Sequence, residues 1–135
     1  MTQKTEWLVG SQGENMARYV DGFVIPIPKT KVKAYAKLAK RAAKFWLKYG
    51  ALEYYETVGD DLNIKGFVSF PKLAKIKKNE TVIFSWIVYK SRAHRDRVNA
   101  KIMNDPVIKK MCDTDMKQFD MKRMSYGGFK VLVQA

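Results

Sequence analysis

The spacing of apolar residues changes several times along this chain, and each change predicts an element. Over residues 18–27, β-branched and aromatic side chains crowd together (Tyr19, Val20, Phe23, Val24, Ile25), the signature of a strand. Pro26 and Pro28 each lack a backbone donor and are expected to end it. Residues 29–49 then shift to three- and four-residue steps. Val32, Tyr35, Ala36, Ala39, Ala43 and Trp46 make one apolar helical face, and Gly50 is placed as the stop. A second strand is expected over 51–59, then a long connection over 60–79 that contains Gly66 and Pro71. Residues 81–89 (TVIFSWIVY) make the strongest strand. Ser91 is positioned to cap a helix over 92–104, and Pro106 to open another short turn. Residues 113–122 are polar and irregular, and 124–133 predict a last strand loosened by Gly127 and Gly128. The order βαββαβ is that of a ferredoxin-like α+β fold with a four-stranded antiparallel sheet.

Two helices can cover one face of such a sheet and leave the other open. Yet the third strand is apolar on both sides: Val82, Phe84, Trp86 and Val88 on one, Ile83, Ile87 and Tyr89 on the other. A sheet with one wet face alternates apolar with polar residues, so a second copy of the same sheet is the expected cover and a homodimer the expected partner. At 135 residues the chain has the length of one domain with one core. That domain is expected over residues 16–135. Residues 1–15 hold only Trp7, Leu8 and Val9 as an apolar cluster before a turn-prone stretch, and read as an unstructured extension. Gln12-Gly13-Glu14 can be encoded by CAA-GGA-GAA, a purine-rich ribosome-binding sequence ahead of an ATG for Met16. Translation from Met16 and a genuine flexible tail are both open.

Composition narrows the classes. Hydrophobic residues at 47% and charged residues at 29% make an ordinary globular balance. No apolar run approaches the roughly 20 residues of a membrane span, and no basic-then-apolar leader opens the chain, so a cytoplasmic protein without membrane contact is expected. The single cysteine, Cys112, excludes an internal disulfide framework and a Cys-rich zinc site. What stands out is charge: 26 basic against 13 acidic side chains, a net +13. Lys33, Lys37, Lys40, Lys44 and Lys48 fall within an arc of roughly 80° on the first helix. Such a stripe suits nucleic-acid phosphates or simply solvent, and no aromatic stacking platform is interleaved with it.

The stretches YVDGFVIPIPK (19–29), YGALEYYETVGDD (49–61), ETVIFSWIVYKSRAHRDRVNAKIMNDP (80–106) and FDMKRMSYGGFKVLV (119–133) closely resemble the YbaA-like family, a bacterial family of unknown function. The resemblance spans residues 16–135. It implies a dimeric α+β barrel, in which two ferredoxin-like sheets pack face to face, and a start at the position of Met16. It implies no activity. The wider superfamily holds cofactor-free monooxygenases, isomerases and haem-binding or haem-degrading enzymes, which reach this chain by analogy alone.

Candidate chemistry centres on His94, the only histidine. Four-residue steps put it with Val98 and Ile102 on the sheet-facing side of the second helix, where it is open to a role as general base or as a hydrogen-bonded core-edge residue. One histidine and one distant cysteine do not make a zinc site, and neither a metal nor a cofactor is expected. Arg92 and Asp96 can pair at four residues' spacing; Arg95 and Asn99 share that spacing and suit the grip of a carboxylate. Asp21, mid-strand with Tyr19 and Phe23 on its face, needs a partner or a raised pKa. Asp21, Glu53, Tyr55, Ser85, Tyr89 and Tyr126 are expected to line either a small polar pocket or a polar network at the dimer interface, depending on register. Asp60 and Asp61 read as turn caps, Cys112 as a buried thiol, and the methionines of 111–124 as adaptable packing. Three functions stay open: a small-molecule binder or cofactor-independent enzyme using His94 and Asp21, an assembly module without chemistry, and a nucleic-acid-associated protein using the lysines.

Overall fold

The computed structural model describes residues 17–135; the expected extension over 1–15 lies outside them. Four strands, β1 (Tyr19–Pro28), β2 (Glu53–Val58), β3 (Glu80–Tyr89) and β4 (Ser125–Lys130), form one antiparallel sheet in the order β2-β3-β1-β4. The helices are α1 (Val32–Lys48), a short α2 (Phe70–Ala74), α3 (Arg92–Asn104) and α4 (Pro106–Asp113). The expected ferredoxin-like α+β arrangement is the one found, with β1 and β3 in the middle.

Differences from expectation have local causes. Pro26 and Pro28 lie inside β1. The ladder with β4 stops at Val24, so β1 is an edge strand from there on, where missing donors cost least. β4 ends at Lys130 because its partner Tyr19 is the first residue of β1. The connection after β2 carries α2, whose first turn is capped by Ser69 Oγ, the acceptor for Lys72 N–H at 3.2 Å. On α1 the buried face is Tyr35, Leu38 and Ala39, while Ala36 is exposed. Ala spacing alone does not fix the angle of a helix, and the bulkier Leu38 turns inward.

α1 ends as the sequence predicts. Gly50 takes φ 118°, and Ala51 N–H closes back onto the Trp46 carbonyl at 2.9 Å, the wide turn a glycine permits. The side chain of His94 sits against Gly50, so a β-carbon there would meet Nε2 at 3.1 Å.

The ladder registers sort every strand residue by face. Asp21 pairs with Ile87 and Gly128, Phe23 with Ser85 and Tyr126, and Glu56 with Ser85. Odd positions of β1 and β3 and even positions of β2 and β4 therefore share one face. The helices cover it: Ile25, Ile27, Ile83, Ile87 and Tyr89 are buried there with Leu38 of α1, Val98 and Ile102 of α3, and Ile108 of α4. The other face carries an aromatic row. Tyr55 stacks on Trp86 at 5.0 Å between centroids, Trp86 meets Phe84 at 5.5 Å, and Phe84 meets Phe70 of α2 at 5.8 Å. α2 lies over one end of this face, beside the buried Val82, but Tyr55 and Phe129 stay 46% and 63% exposed. Among the described residues no helix is long and apolar enough to cross a membrane.

Candidate functional site

Two polar clusters interrupt the apolar layer between sheet and helices. The first is built around Asp21, which β1 places in the centre of the sheet with 1% exposure. Arg95, one turn into α3, extends beneath the sheet end and brings Nε to 3.1 Å from Asp21 Oδ1. The pair is close enough for strong attraction, although the N–H does not point along the line of a good hydrogen bond. Asn99, one turn further, donates from Nδ2 to Asp21 Oδ2 at 3.4 Å and accepts from the Tyr89 hydroxyl at 3.3 Å. The carboxylate that Arg95 and Asn99 grip is thus the chain's own. Burial holds the Asp21 carboxyl above its ordinary range, against the opposing pull of Arg95, Asn99 and the hydroxyls of Tyr126 and Tyr89.

Gly128 makes this cluster possible. It lies opposite Asp21 in the ladder, and a β-carbon there would collide with the Arg95 guanidinium and the Tyr19 ring. Without one, Arg95 lies 4.9 Å from the centre of the Tyr19 ring and donates to its hydroxyl at 3.3 Å. The sequence marks Gly128 as a loosening of β4; the packing makes it a seat for a cation.

The second cluster was not anticipated. Glu56 faces α1, its Oε1 accepting from the Tyr35 hydroxyl at 2.9 Å and its Oε2 from the Tyr54 hydroxyl at 2.7 Å. The Ser85 hydroxyl bears on the same carboxylate, and burial outweighs these donors, so the Glu56 carboxyl is held above its ordinary range. Burial and the neighbouring carboxylate also hold the Tyr35 and Tyr54 hydroxyls protonated, as donors. Among the described residues none of the ion pairs includes Glu56.

Glu56 stands at the wall of a cavity of about 270 Å³ between α1 and the sheet. The rest of its lining is almost entirely apolar: Leu38, Ala39, Trp46 and Ile87, with Met111, Met116 and Met121 from the segment before β4. The methionines give this wall flexible, unbranched side chains that can re-pack around a guest. Cys112, expected to be buried, is exposed and lines the same space. A second cavity of about 230 Å³ touches Asp21, Asn99 and Tyr126, and shares Phe23, Trp46, Ile87 and Met124 with the first. Trp46 Nε1 is buried without a hydrogen bond of good geometry, its N–H bearing on the Tyr89 hydroxyl.

The remaining expected residues fall elsewhere. Ser85, Tyr89 and Tyr126 are on the helix-facing side with Asp21, but Glu53 and Tyr55 are on the opposite face, one residue out of phase with Tyr54 and Glu56. Glu53 there lies 3.8 Å from Arg18. His94 lines neither cavity. Its Nδ1 accepts from Lys90 N–H at 2.9 Å, which fixes the remaining proton on Nε2, and burial with Lys90, Arg97 and Lys101 depresses its pKa. The imidazole thus completes the N-terminal turn of α3, whose cap is Ser91 Oγ, the acceptor for His94 N–H at 3.1 Å. Arg92 is exposed, and Asp96 pairs with Arg95 at 2.8 Å in its place. Lys33, Lys37, Lys40, Lys44 and Lys48 are exposed along α1, with Lys48 folded over Phe45 and Tyr49. Asp60 and Asp61 are exposed, and among the described residues no group of three or more His, Cys, Asp or Glu is placed to hold a metal ion.

One signal for the second cluster was present in the sequence. Ser85 is a small polar residue between Ile83 and Ile87 on the inner face of β3, so a polar partner across the ladder is the natural complement, and Glu56 occupies that place.

The chain is similar in sequence to one family and in fold to a solved structure. The model of a family described as a protein of unknown function (DUF1428) matches residues 18–121. The uncharacterised protein YbaA of Escherichia coli K12 is 40% identical over 116 residues, covering 86% of this chain and 97% of that protein, and the YbaA of Shigella flexneri matches equally. A solved structure of a dimeric ferredoxin-like protein from an uncultured marine organism superposes with a TM-score of 0.55 at 12% identity, over 87% of this chain and 99% of that one.

Proposed function

We propose that this chain, which belongs to the YbaA-like family of unknown function (DUF1428), is a homodimeric binder of a small, mostly apolar molecule held between α1 and the sheet. The observation that carries the reading is the Glu56 carboxylate, bridged by two tyrosine hydroxyls at the wall of an otherwise apolar cavity. Ligand sites have this build: much apolar surface and a few convergent polar groups that set orientation. A cavity of about 270 Å³ suits one or two fused rings, given that a hole of roughly 150 Å³ already admits benzene.

The dimer rests on the outer face of the sheet. Tyr55, Phe84 and Phe129 are exposed there, and Phe67, Val68 and Leu73 around α2 extend the apolar surface. A patch of this kind marks an association site, and a second copy of the same face is self-complementary about a two-fold axis. The solved protein of the same fold is described as dimeric.

Calorimetric titration with 2-naphthol tests the cavity. The wild type is expected to bind it and to gain thermal stability, and Ala39→Trp, which fills the space, to lose the binding. Ala42→Leu gives a second, milder filling. Absence of binding to the wild type, or equal binding by wild type and a folded filled variant, overturns the reading.

A further inference from the structure

Resting on that reading of the cavity, we propose that Glu56 is the base of a proton-transfer reaction on a small cyclic ketone, removing a proton from the carbon next to the carbonyl. The step balances within the site. The C–H bond breaks, its proton goes to a Glu56 oxygen, and its electron pair moves into a C=C bond as charge passes to the carbonyl oxygen. Return of the proton to the same carbon, or to another in conjugation with it, completes a tautomerisation or isomerisation. No oxidant or reductant enters.

The surroundings of Glu56 carry this assignment. A carboxylate offers about four lone-pair positions, and Tyr35, Tyr54 and Ser85 account for three donors, which leaves acceptor capacity for one more proton. No cation among the described ion pairs stands beside it, whereas Asp21 has the Arg95 guanidinium at 3.1 Å. A purely structural acceptor for two tyrosines does not require a charge; a neutral amide would serve. Burial raises its proton affinity toward the range in which a general base works at neutral pH.

The electrophilic side is also present. An enolate oxygen needs a fixed donor, and Trp46 Nε1–H is buried without a hydrogen bond of good geometry, so a carbonyl oxygen entering the space competes for it only with the Tyr89 hydroxyl on which it bears. The Trp46 ring lies 5.9 Å from that of Tyr54, the same tyrosine that donates to Glu56, so donor and base border one space. The apolar lining favours a ligand whose carbonyl is its main polar group.

The probe is 2-tetralone, a fused bicyclic ketone with an acidic C1–H, followed by proton NMR in deuterated buffer, with its binding measured by calorimetry. The wild type is expected to accelerate loss of the C1–H signal, and Glu56→Gln to bind the ketone but exchange it at least about 100-fold more slowly. Saturating 2-naphthol, which fills the cavity, is expected to suppress the wild-type exchange. Binding by both proteins with equal exchange rates overturns the assignment of Glu56 and leaves the ligand site standing. Exchange that persists under saturating 2-naphthol also overturns it, even where Glu56→Gln does not fold. Failure of 2-tetralone and 2-naphthol to bind the wild type overturns the ligand site and the assignment together.

Discussion

Glu56 and Asp21 both lie on the helix side of the sheet, and they differ in what stands beside them. Asp21 has a guanidinium and Glu56 has hydroxyls. Removing Arg95 leaves an uncompensated charge that is 1% exposed, so Arg95→Leu should cost about 3 kcal/mol or more in urea unfolding. Asp21→Asn on top of it should recover part of that loss. No recovery in the double variant would mean that Arg95 acts through packing on Tyr19. Protonation separates the two kinds of carboxylate found here. Glu56 has its folded-state pKa raised above the ordinary 4.5. Its contribution to stability is therefore complete below 4.5 and is lost as pH rises through the folded value. Glu80 is the reverse case: Arg123 grips both its oxygens at 2.8 and 2.9 Å and depresses its pKa below 4.5. Its contribution is present above 4.5 and is lost as pH falls through the lowered value. Melting curves between pH 4 and 8 should show Glu56→Gln with less decline toward neutral pH than the wild type, by a few degrees. Identical slopes would mean that the Glu56 pKa is not raised.

At the scale of the element, β2 is the instructive case. Its six residues, EYYETV, show no clean alternation, and two tyrosines in succession must point to opposite faces. Reading Glu53 and Tyr55 as the inward pair puts the strand one residue out of phase, and period two turns that slip into a complete exchange of faces. The ladder with β3 settles it, because Glu56 meets Ser85 and Tyr55 meets Trp86. Two variants separate the faces. Tyr54→Ala should lower monomer stability by about 3 kcal/mol or more, as for a large aromatic side chain leaving a core. Tyr55→Ala should leave chain stability nearly unchanged and weaken association, seen by sedimentation at low concentration. Similar losses of stability in both would contradict the assignment of faces. α3 teaches the complementary lesson: its periodicity correctly puts His94 on the side of Val98, but the imidazole is used at the helix start, on Lys90 N–H.

For the whole molecule, the unresolved balance is between a sheet with two apolar faces and helices that cover one. Trp86→Glu with Phe129→Glu places charge in the aromatic outer face while leaving the helix side intact. The wild type is expected to run as a dimer by light scattering and the double variant as a monomer at the same concentration, with its circular dichroism retained. A dimer that survives this change would place the contact elsewhere, with the lysine-lined α1 among the remaining surfaces. The net charge of +13 fits the proposed dimer: sheet-to-sheet pairing would keep the α1 lysines on the outside, where two like-charged stripes stay apart and in water.

Several features were legible from residue order alone because their causes are local. Strand and helix alternation follows from period, the end of α1 from Gly50, the start of α3 from Ser91, and the start of α4 from Pro106; the cap that Asp105 adds there, accepting from Val107 and Ile108 N–H at 2.8 and 3.3 Å, came only with the structure. The unusual apolarity of both faces of β3 is likewise a property of the string of residues. The partners of Asp21, the seat that Gly128 leaves for Arg95, and the cluster at Glu56 join residues far apart in sequence. They depend on strand register and on the angle at which α1 crosses the sheet, and both are fixed only when the whole core packs at once.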